Sequence, residues 1–501
     1  MTITVLVPGA PGVVQAYVLP NTYRDSVELM RVAAELEQLP GIQRAALVMG
    51  TPANCAILAD AGLLIREARD VGVNDLVIAA GGESTDAVAA ALDRARVLLA
   101  SQPTPAASSA SVLPAPRTIA EAVADQPSSK LAIVSTPGTY ATAEALKALK
   151  RGLHVFLFSD NVALADEIEL KRLAARKHLL LMGPDCGTAI VDGIPLGFAN
   201  VVRRGQIGLV AASGTGLQQV SCLVDALGEG VSHAIGVGGR DLDEQVGGMM
   251  MLAALEYLAS DSDTHVIVLL SKPPAASVAR AVLARAQASG KPVVVNFLGG
   301  SDTVEHDGSL VRVPTLEEAA VWAVALARGE ATAAAPRLAP ELVEQVRVAG
   351  SRLRPSQWRV RGLYSGGTLC KEAAHVLHDL GAGHELVDLG DDEFTVGRPH
   401  PMIDPRLRNE RILEAAADPT TAVLLLDVVL GYGAHPDPAN ALLPALAGAT
   451  DVVVVASVCG TAGDPQGLSR QCAVLREAGV LVAPSNAQAA RLARLVVEGR
   501  G

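Results

Sequence analysis

An α/β protein built on parallel sheets is predicted, and three observations lead there. Apolar runs rich in Val, Leu, Ile and Ala repeatedly end in Gly, Ser, Thr, Asn or Asp, and a helical stretch then follows. Ala, Val, Leu and Gly dominate while aromatic residues make up only 3%, which suits thin, tightly packed helix and sheet layers. The third observation is one unit in which the pattern is clearest. Gln206–Ile207–Gly208–Leu209–Val210–Ala211–Ala212 reads as a buried strand, Ser213–Gly214–Thr215–Gly216 as a tight loop, and Leu217–Gln218–Gln219–Val220 as a helix start. Exposed amides and small hydroxyls at a helix N-terminus are what a phosphoryl group requires.

The remaining elements follow in chain order. Asp25–Ser26 starts a helix that ends near Pro40–Gly41. Ala45–Ala46–Leu47–Val48–Met49 runs into Gly50–Thr51–Pro52–Ala53–Asn54, and Asp75–Leu76–Val77–Ile78–Ala79–Ala80 into Gly81–Gly82–Glu83–Ser84; both read as βα units of a parallel sheet. Ser101–Gln102–Pro103–Thr104–Pro105–Ala106–Ala107–Ser108–Ser109 reads as a linker running on to Pro114 and Pro116. Leu131–Ala132–Ile133–Val134–Ser135 leads to Pro137–Gly138–Thr139, and His154–Val155–Phe156–Leu157–Phe158 leads to Ser159–Asp160–Asn161. Met182–Gly183–Pro184–Asp185–Cys186–Gly187–Thr188 is a second small-residue turn after an apolar run. Strands are predicted at Thr264–His265–Val266–Ile267–Val268–Leu269–Leu270 and Lys291–Pro292–Val293–Val294–Val295–Asn296–Phe297. A second linker is read around Gly329–Glu330–Ala331–Thr332–Ala333–Ala334–Ala335–Pro336. Beyond it, Gly362–Leu363–Tyr364–Ser365–Gly366–Gly367–Thr368 opens a helix. The strand from Thr421 to Leu430 ends in Gly431–Tyr432–Gly433–Ala434–His435–Pro436–Asp437, and Asp451–Val452–Val453–Val454–Val455–Ala456 ends in Ser457–Val458–Cys459–Gly460–Thr461. Polar residues thus gather after strand ends, where open α/β sheets bind ligands.

Composition excludes several classes. At 501 residues the chain holds about three domains. A net charge of −12 without a long basic run argues against a nucleic-acid surface. No apolar stretch is long enough for a membrane span, and the first eight residues lack a charged n-region and a cleavage site. The cysteines Cys55, Cys186, Cys222, Cys370, Cys459 and Cys472 are scattered and form no CxxC pair, so neither zinc nor disulfides are expected. A reducing cytoplasm is the expected compartment.

Several strings resemble a known family. Gly183–Pro184–Asp185–Cys186–Gly187 is similar to a glycine turn of the succinyl-CoA synthetase α subunit, and Ser213–Gly214–Thr215 to its Ser-Gly-Thr phosphate turn. Ile235–Gly236–Val237–Gly238–Gly239–Arg240–Asp241 resembles its GIGGD segment, and Lys291–Pro292–Val293–Val294 the strand before its phosphohistidine loop. The FdrA family, a fused relative, is closer. It is resembled at Tyr23–Arg24–Asp25–Ser26–Val27, at 49–54, at 182–190, at His400–Pro401–Met402–Ile403–Asp404, at 430–438, and at Cys459–Gly460–Thr461 with Asp464–Pro465–Gln466. This likeness implies a Rossmann-like CoA-binding-type domain over 1–200, followed by two flavodoxin-like ligase domains at 201–328 and 357–501, joined by a linker at 329–356. An ATP-grasp domain is not expected.

Site expectations combine the residues with this likeness. Ser213, Gly214, Thr215 and Gly216, with Gly431 and Gly433, are the candidate phosphate cradle; helices after Ala212 and after Gly433 are expected to face one anion. Catalytic candidates are Ser213, Thr215, His435 and His306, although the loop 299–308 lacks the family's GHAG context. Substrate or cofactor contacts are expected from Thr51, Asn54, Pro137, Gly138, Asp185, Cys186, Gly187, Gly238, Gly239, His400, Asp404, Asp437, Cys459 and Gly460. Thr51 and Asn54 also read as a simple helix cap, and Cys186 as a nucleophile, a site wall or a buried small apolar residue. No metal site is expected. CoA is the one cofactor that the resemblance raises.

Three functions remain open at this point. The FdrA likeness extends to the large subunit of oxamate carbamoyltransferase, implying carbamoyl transfer between carbamoyl phosphate and oxamate. The alternatives are an acyl-CoA synthetase with a separate ATP-grasp chain, and a non-catalytic anion-binding regulatory subunit. The expected partners are a small acyl or carbamoyl phosphate, a carboxylic acid and separate subunits in an oligomer, with neither nucleic acid nor membrane.

Overall fold

The computed structural model describes residues 3–6, 12–24, 26–51, 54–55, 58–59, 61–64, 71–100, 116–395 and 399–499. The linker expected at 101–109 and residues Asp25, Pro52 and Ala53 lie outside them. The chain divides into two compact units, 1–115 with 395–399, and 116–394 with 400–501.

The first unit holds β1 (Ile3–Leu6), β2 (Val13–Leu19), α1 (Ser26–Glu37), β3 (Ile42–Met49), β4 (Leu76–Gly82) and α2 (Thr85–Ala100). Its sheet order is β1-β2-β4-β3, and every pairing is antiparallel. The parallel βα reading of this region is therefore corrected, as is the single Rossmann-like domain over 1–200. Apolar runs followed by Gly look the same in sequence whichever way the neighbouring strand runs. Here β4 is buried along its whole length between β2 and β3, which hides the alternation that marks an antiparallel strand.

The second unit opens with α3 (Ile119–Asp125), β5 (Leu131–Val134), α4 (Gly138–Lys150), β6 (His154–Leu157), α5 (Leu164–Arg176) and β7 (Leu181–Met182), a three-stranded parallel sheet. An eight-stranded sheet follows. It contains β8 (Thr188–Val191), β9 (Ile194–Gly197), β10 (Arg204–Ala212), β11 (Val231–Gly236), β12 (Val266–Ser271), β13 (Val293–Phe297), β14 (Glu305–Asp307) and β15 (Leu310–Arg312). Its helices are α6 (Gly214–Ala226), α7 (Met249–Ser260), α8 (Ala276–Gln287) and α9 (Leu316–Ala327). The sheet order is β14-β15-β13-β12-β10-β11-β8-β9. Its five central strands are parallel, and the antiparallel hairpins β8–β9 and β14–β15 close the two edges.

Next comes α10 (Pro340–Gly350), inside the expected linker 329–356. Pro340 occupies the first helical turn, where its missing N–H costs nothing, so it starts a helix instead of breaking one. The last module contains β16 (Arg359–Tyr364), α11 (Gly367–Val376), β17 (Glu385–Asp388), α12 (Asp392–Thr395), α13 (Arg406–Ala417), β18 (Thr421–Val429), α14 (Pro438–Ala447), β19 (Val453–Cys459), α15 (Leu468–Glu477), β20 (Leu481–Ala483) and α16 (Asn486–Glu498). Its all-parallel order is β17-β16-β18-β19-β20.

Counted along the chain within each module, the parallel strands of both sheets run 2-1-3-4-5, the flavodoxin-like order. Strand alternation splits the eight-stranded sheet between two cores. Leu209, Ala211, Val268 and Leu270 face a core shared with Val360, Tyr364, Leu369 and Ala490 of the last module. Val210, Ala212, Ile267 and Leu269 face the three-stranded module, against Leu149, Phe156 and Leu170. No helix among the described residues is long and apolar enough to cross a membrane.

Candidate functional site

The flavodoxin-like order has a switch point between the first and third strands, and the loop after the first strand opens there. In the eight-stranded sheet that loop is Ser213–Gly216, between β10 and α6. In the last module it is Ser365–Gly366, between β16 and α11. The two loops meet. Ser213 caps α6, its Oγ accepting from the Gly216 N–H at 2.9 Å. The same Oγ lies 2.5 Å from Thr368 Oγ1, in the first turn of α11. A Cβ on Gly366 would lie 3.0 Å from the Thr215 methyl, and one on Gly216 would strike Ser213 Oγ at 2.5 Å. Glycine at both positions is what lets two helix N-termini converge, bringing their positive dipole ends together.

This corrects the second half of the expected cradle. The helix after Gly433, α14, begins with Pro438, which has no N–H to offer. The Asp437 carboxylate already sits there. Burial pushes its pKa up, but hydrogen bonds from Asn440, Gln471 and Arg470 outweigh this and hold it at about 2. The Gly431 N–H donates to Gln466 Oε1, so it too is taken. The helix that faces Ser213 is α11. Ser365, Gly366 and Thr368 were missed as site residues, although Ser365–Gly366–Gly367–Thr368 echoes Ser213–Gly214–Thr215–Gly216 in the sequence.

The α11 entrance is held by a buried ion pair. Asp427, at the end of β18, accepts from the Ser365 and Gly366 N–H groups at 2.8 Å each and from Ser365 Oγ. Arg408 lies 3.0 Å from Asp427 Oδ1 and donates to the Leu363 carbonyl. Burial lowers the Arg408 pKa. On the other side of the turn, a Cβ on Gly367 would collide with Asp388 Oδ2, and burial raises the Asp388 pKa against the nearby Lys272. Lys371 is lowered by burial and by the same Lys272. The entrance therefore carries lysines as well as hydroxyls and free helix amides.

The other expected residues distribute as follows. Thr188 Oγ1, just after the Asp185–Gly187 turn, lies 3.6 Å from where a Gly214 Cβ would sit, so this turn borders the α6 N-terminus. Asp185 is exposed and Gly187 half-buried. Cys186 is buried, its Sγ on the Thr188 carbonyl, and burial pushes the thiol up to about 12, which removes it as a nucleophile at neutral pH. A Cβ on Gly238 would strike the Pro184 carbonyl, while Gly239 faces open space. Pro137 precedes α4, and Gly138 packs onto the Asp160 and Asn161 carbonyls, so these two turns adjoin.

His400 stacks toward Phe198 at 6.5 Å and lies against Gly390, next to the Ser365 carbonyl; burial lowers it to about 4. Gly433 abuts the same Phe198 ring. His435 accepts at Nδ1 from the Asp437 N–H and shares a cavity of about 20 Å³ with Ser365, Met402 and Arg408. Asp404 is bound by Arg406. Cys459 is core, beside Cys222 of α6, and Gly460 packs on Leu430. Thr51 and Asn54 belong to the first unit, where Thr51 Oγ1 accepts from the Asn54 N–H and Asn54 Nδ2 donates to Met49. His306 is on β14 with its ring 5.0 Å from Trp322. Four strand spacings separate β14 from β10, roughly 19 Å.

Three family models match the chain. The CoA-ligase model covers 363–496, the CoA binding domain model 202–299, and the model called "AllF, heavy metal-associated domain" 12–114. The E. coli K12 protein YahF, itself uncharacterized, is 41% identical over 96% of this chain and 98% of its own length. The chain belongs to this FdrA-like family, related to the succinyl-CoA synthetase α subunit. The sulfoacetate-CoA ligase subunit SauD of Bilophila wadsworthia is 26% identical over 40% of this chain and 70% of its own. The succinate–CoA ligase α subunit of Staphylococcus epidermidis (strain RP62A) is 24% identical over 40% and 67%. The heavy-metal description of the N-terminal model does not fit the residues here. Stretch 12–114 has one cysteine, Cys55, and no histidine, so it lacks the paired soft ligands such a metal takes.

Proposed function

We propose that this FdrA-like chain is an acyl-phosphate-handling subunit whose reacting phosphoryl group sits between the N-termini of α6 and α11. The observation that carries this reading is the meeting of Ser213 and Thr368 across the two helix starts. One hydroxyl of the Ser213–Thr368 pair holds the other, whose proton, with that of Thr215, is left to donate to phosphate oxygens; the remaining first-turn amides and the Lys272 and Lys371 ammonium groups add positive potential. Such preorganised donors stabilise the charge that grows on a departing phosphate.

Carbamoyl transfer is the preferred reaction. The oxamate amide nitrogen attacks the carbamoyl carbon, the bond to the phosphate oxygen breaks, and the amide proton leaves with the released phosphate or solvent. This route needs no phosphohistidine, in keeping with the position of His306 on an edge hairpin against Trp322. The second reading is a CoA ligase subunit working with a separate ATP-grasp chain. The CoA-binding match at 202–299, together with two relatives named as ligase subunits, favours it. Either reading calls for partner subunits.

Thr215→Val separates anion binding from folding. It is expected to weaken carbamoyl phosphate and inorganic phosphate binding about tenfold, measured by calorimetry, with an unchanged urea midpoint. Unchanged affinity in a folded variant would remove the anion from this place. Phosphate release with the partner proteins then discriminates the reactions: oxamate-dependent release from carbamoyl phosphate supports transfer, and release only with ATP, CoA and an acid supports ligation.

A further inference from the structure

A cluster of metal-ligating groups lies at the other end of α11 from the phosphate cradle. Asp302 comes from the loop after β13. His375 is in the last turn of α11, and His378 follows one turn on. His375 Nε2 lies 3.3 Å from Asp302 Oδ1, and His378 Nε2 lies 3.9 Å from Asp302 Oδ2. One ligating atom from each residue lies within 4.8 Å of the other two. A tetrahedral zinc-type ion with bonds of about 2.0–2.1 Å sets its ligand atoms about 3.3–3.4 Å apart, so modest side-chain rotation closes the site.

A second observation concerns orientation. His378 Nδ1 lies 2.8 Å from the His375 carbonyl oxygen. That oxygen only accepts, so Nδ1 carries the proton and the Nε2 lone pair is left for an ion. This is the backbone-carbonyl arrangement that orients histidine ligands in metal sites. The two rings stack at 5.9 Å with 14° between their planes, and the Nε2 of each lies within 3.9 Å of an Asp302 carboxylate oxygen.

We propose that Asp302, His375 and His378 form a site for one divalent transition cation of the zinc, cobalt or nickel class, with water completing the shell. Two imidazoles and a carboxylate match the donor preferences of those ions. The ligands come from both sides of a module boundary: Asp302 from the eight-stranded sheet's module, the histidines from the last one. The bound ion fastens the two modules at the far end of the helix whose first turn opens the phosphate cradle.

The test is equilibrium dialysis of the full chain against Zn²⁺ alone, comparing the parent with His378→Gln and Asp302→Asn. Both changes are at exposed positions, which leaves the fold intact. The parent is expected to bind one ion that each variant binds at least about tenfold more weakly. Amide exchange supplies a second reading: Zn²⁺ slows exchange at 301–304 in the parent and not in the variants. Equal zinc affinity in parent and variants, or no effect of zinc on 301–304 in the parent, overturns the proposal.

Discussion

At the scale of single residues, Asp427 governs the site without facing it. Its carboxylate organises the Ser365–Gly366 turn, and Arg408 neutralises it where neither side chain sees solvent. Asp427→Asn keeps the shape but leaves a buried guanidinium without its counter-charge. Breaking such a pair costs about 3–5 kcal/mol, so a clear fall in the urea midpoint is expected, together with loss of phosphate affinity. Arg408→Met with Asp427→Asn is expected to recover much of the stability and little of the affinity. That pattern, read by urea titration and calorimetry, isolates the turn's geometry from the cost of the lone charge. Neither residue was legible in the sequence as a site residue. Asp427 is one polar position within the apolar run 421–430, and nothing local shows that its partner is 19 residues away.

At the scale of elements, Glu372 ties three helices together. It projects from α11, accepts from the Leu316 N–H at the start of α9, and accepts from Asn486 Nδ2 at the start of α16. Burial raises its pKa to about 7 against hydrogen bonds that lower it. The folded state thus holds a proton that the unfolded chain releases above about 4.5. The stability from that proton is complete below the unfolded value and is lost as pH rises through about 7. Glu372→Gln removes this dependence. The variant's stability relative to the parent is expected to improve between pH 5 and pH 8, by on the order of 3 kcal/mol. Urea midpoints for both proteins at the two pH values check the sign. A difference independent of pH would mean that the carboxylate stays ionised in the fold. Thr315 and Ser485 cap the two helices that Glu372 joins to its own, and nothing local in the sequence marks Glu372 as the buried acid between them.

At the scale of the whole molecule, sheet order decides which ends can meet. Three strands lie between β14 and β10, which keeps His306 far from the paired helix starts. His306→Gln is therefore expected to leave phosphate affinity and oxamate-dependent phosphate release unchanged. The parent is expected to carry no acid-labile phosphate after incubation with ATP and partner subunits; phosphate on His306 would instead favour the ligase reading.

The sequence by itself determined the α/β class, the strands β5, β6, β10, β12, β13, β18 and β19, and the small-residue turn Ser213–Gly216 between a strand and a helix. These rest on local physics: apolar runs must be buried, and small residues must follow a strand where a backbone has to approach closely. It determined less about direction and pairing. The antiparallel first unit was misread because β4, buried on both faces, shows no alternation. The helix paired with Ser213 was assigned to the wrong loop because Gly431–Gly433 and Ser365–Gly366 offer equivalent local signals. Only the tertiary structure decided between them. The switch point of the 2-1-3-4-5 order opens after β16, and Pro438, Asp437 and Gln466 have already occupied the donors and space after β18. The meeting of two loops about 150 residues apart is a property of packing, and no window of the sequence records it.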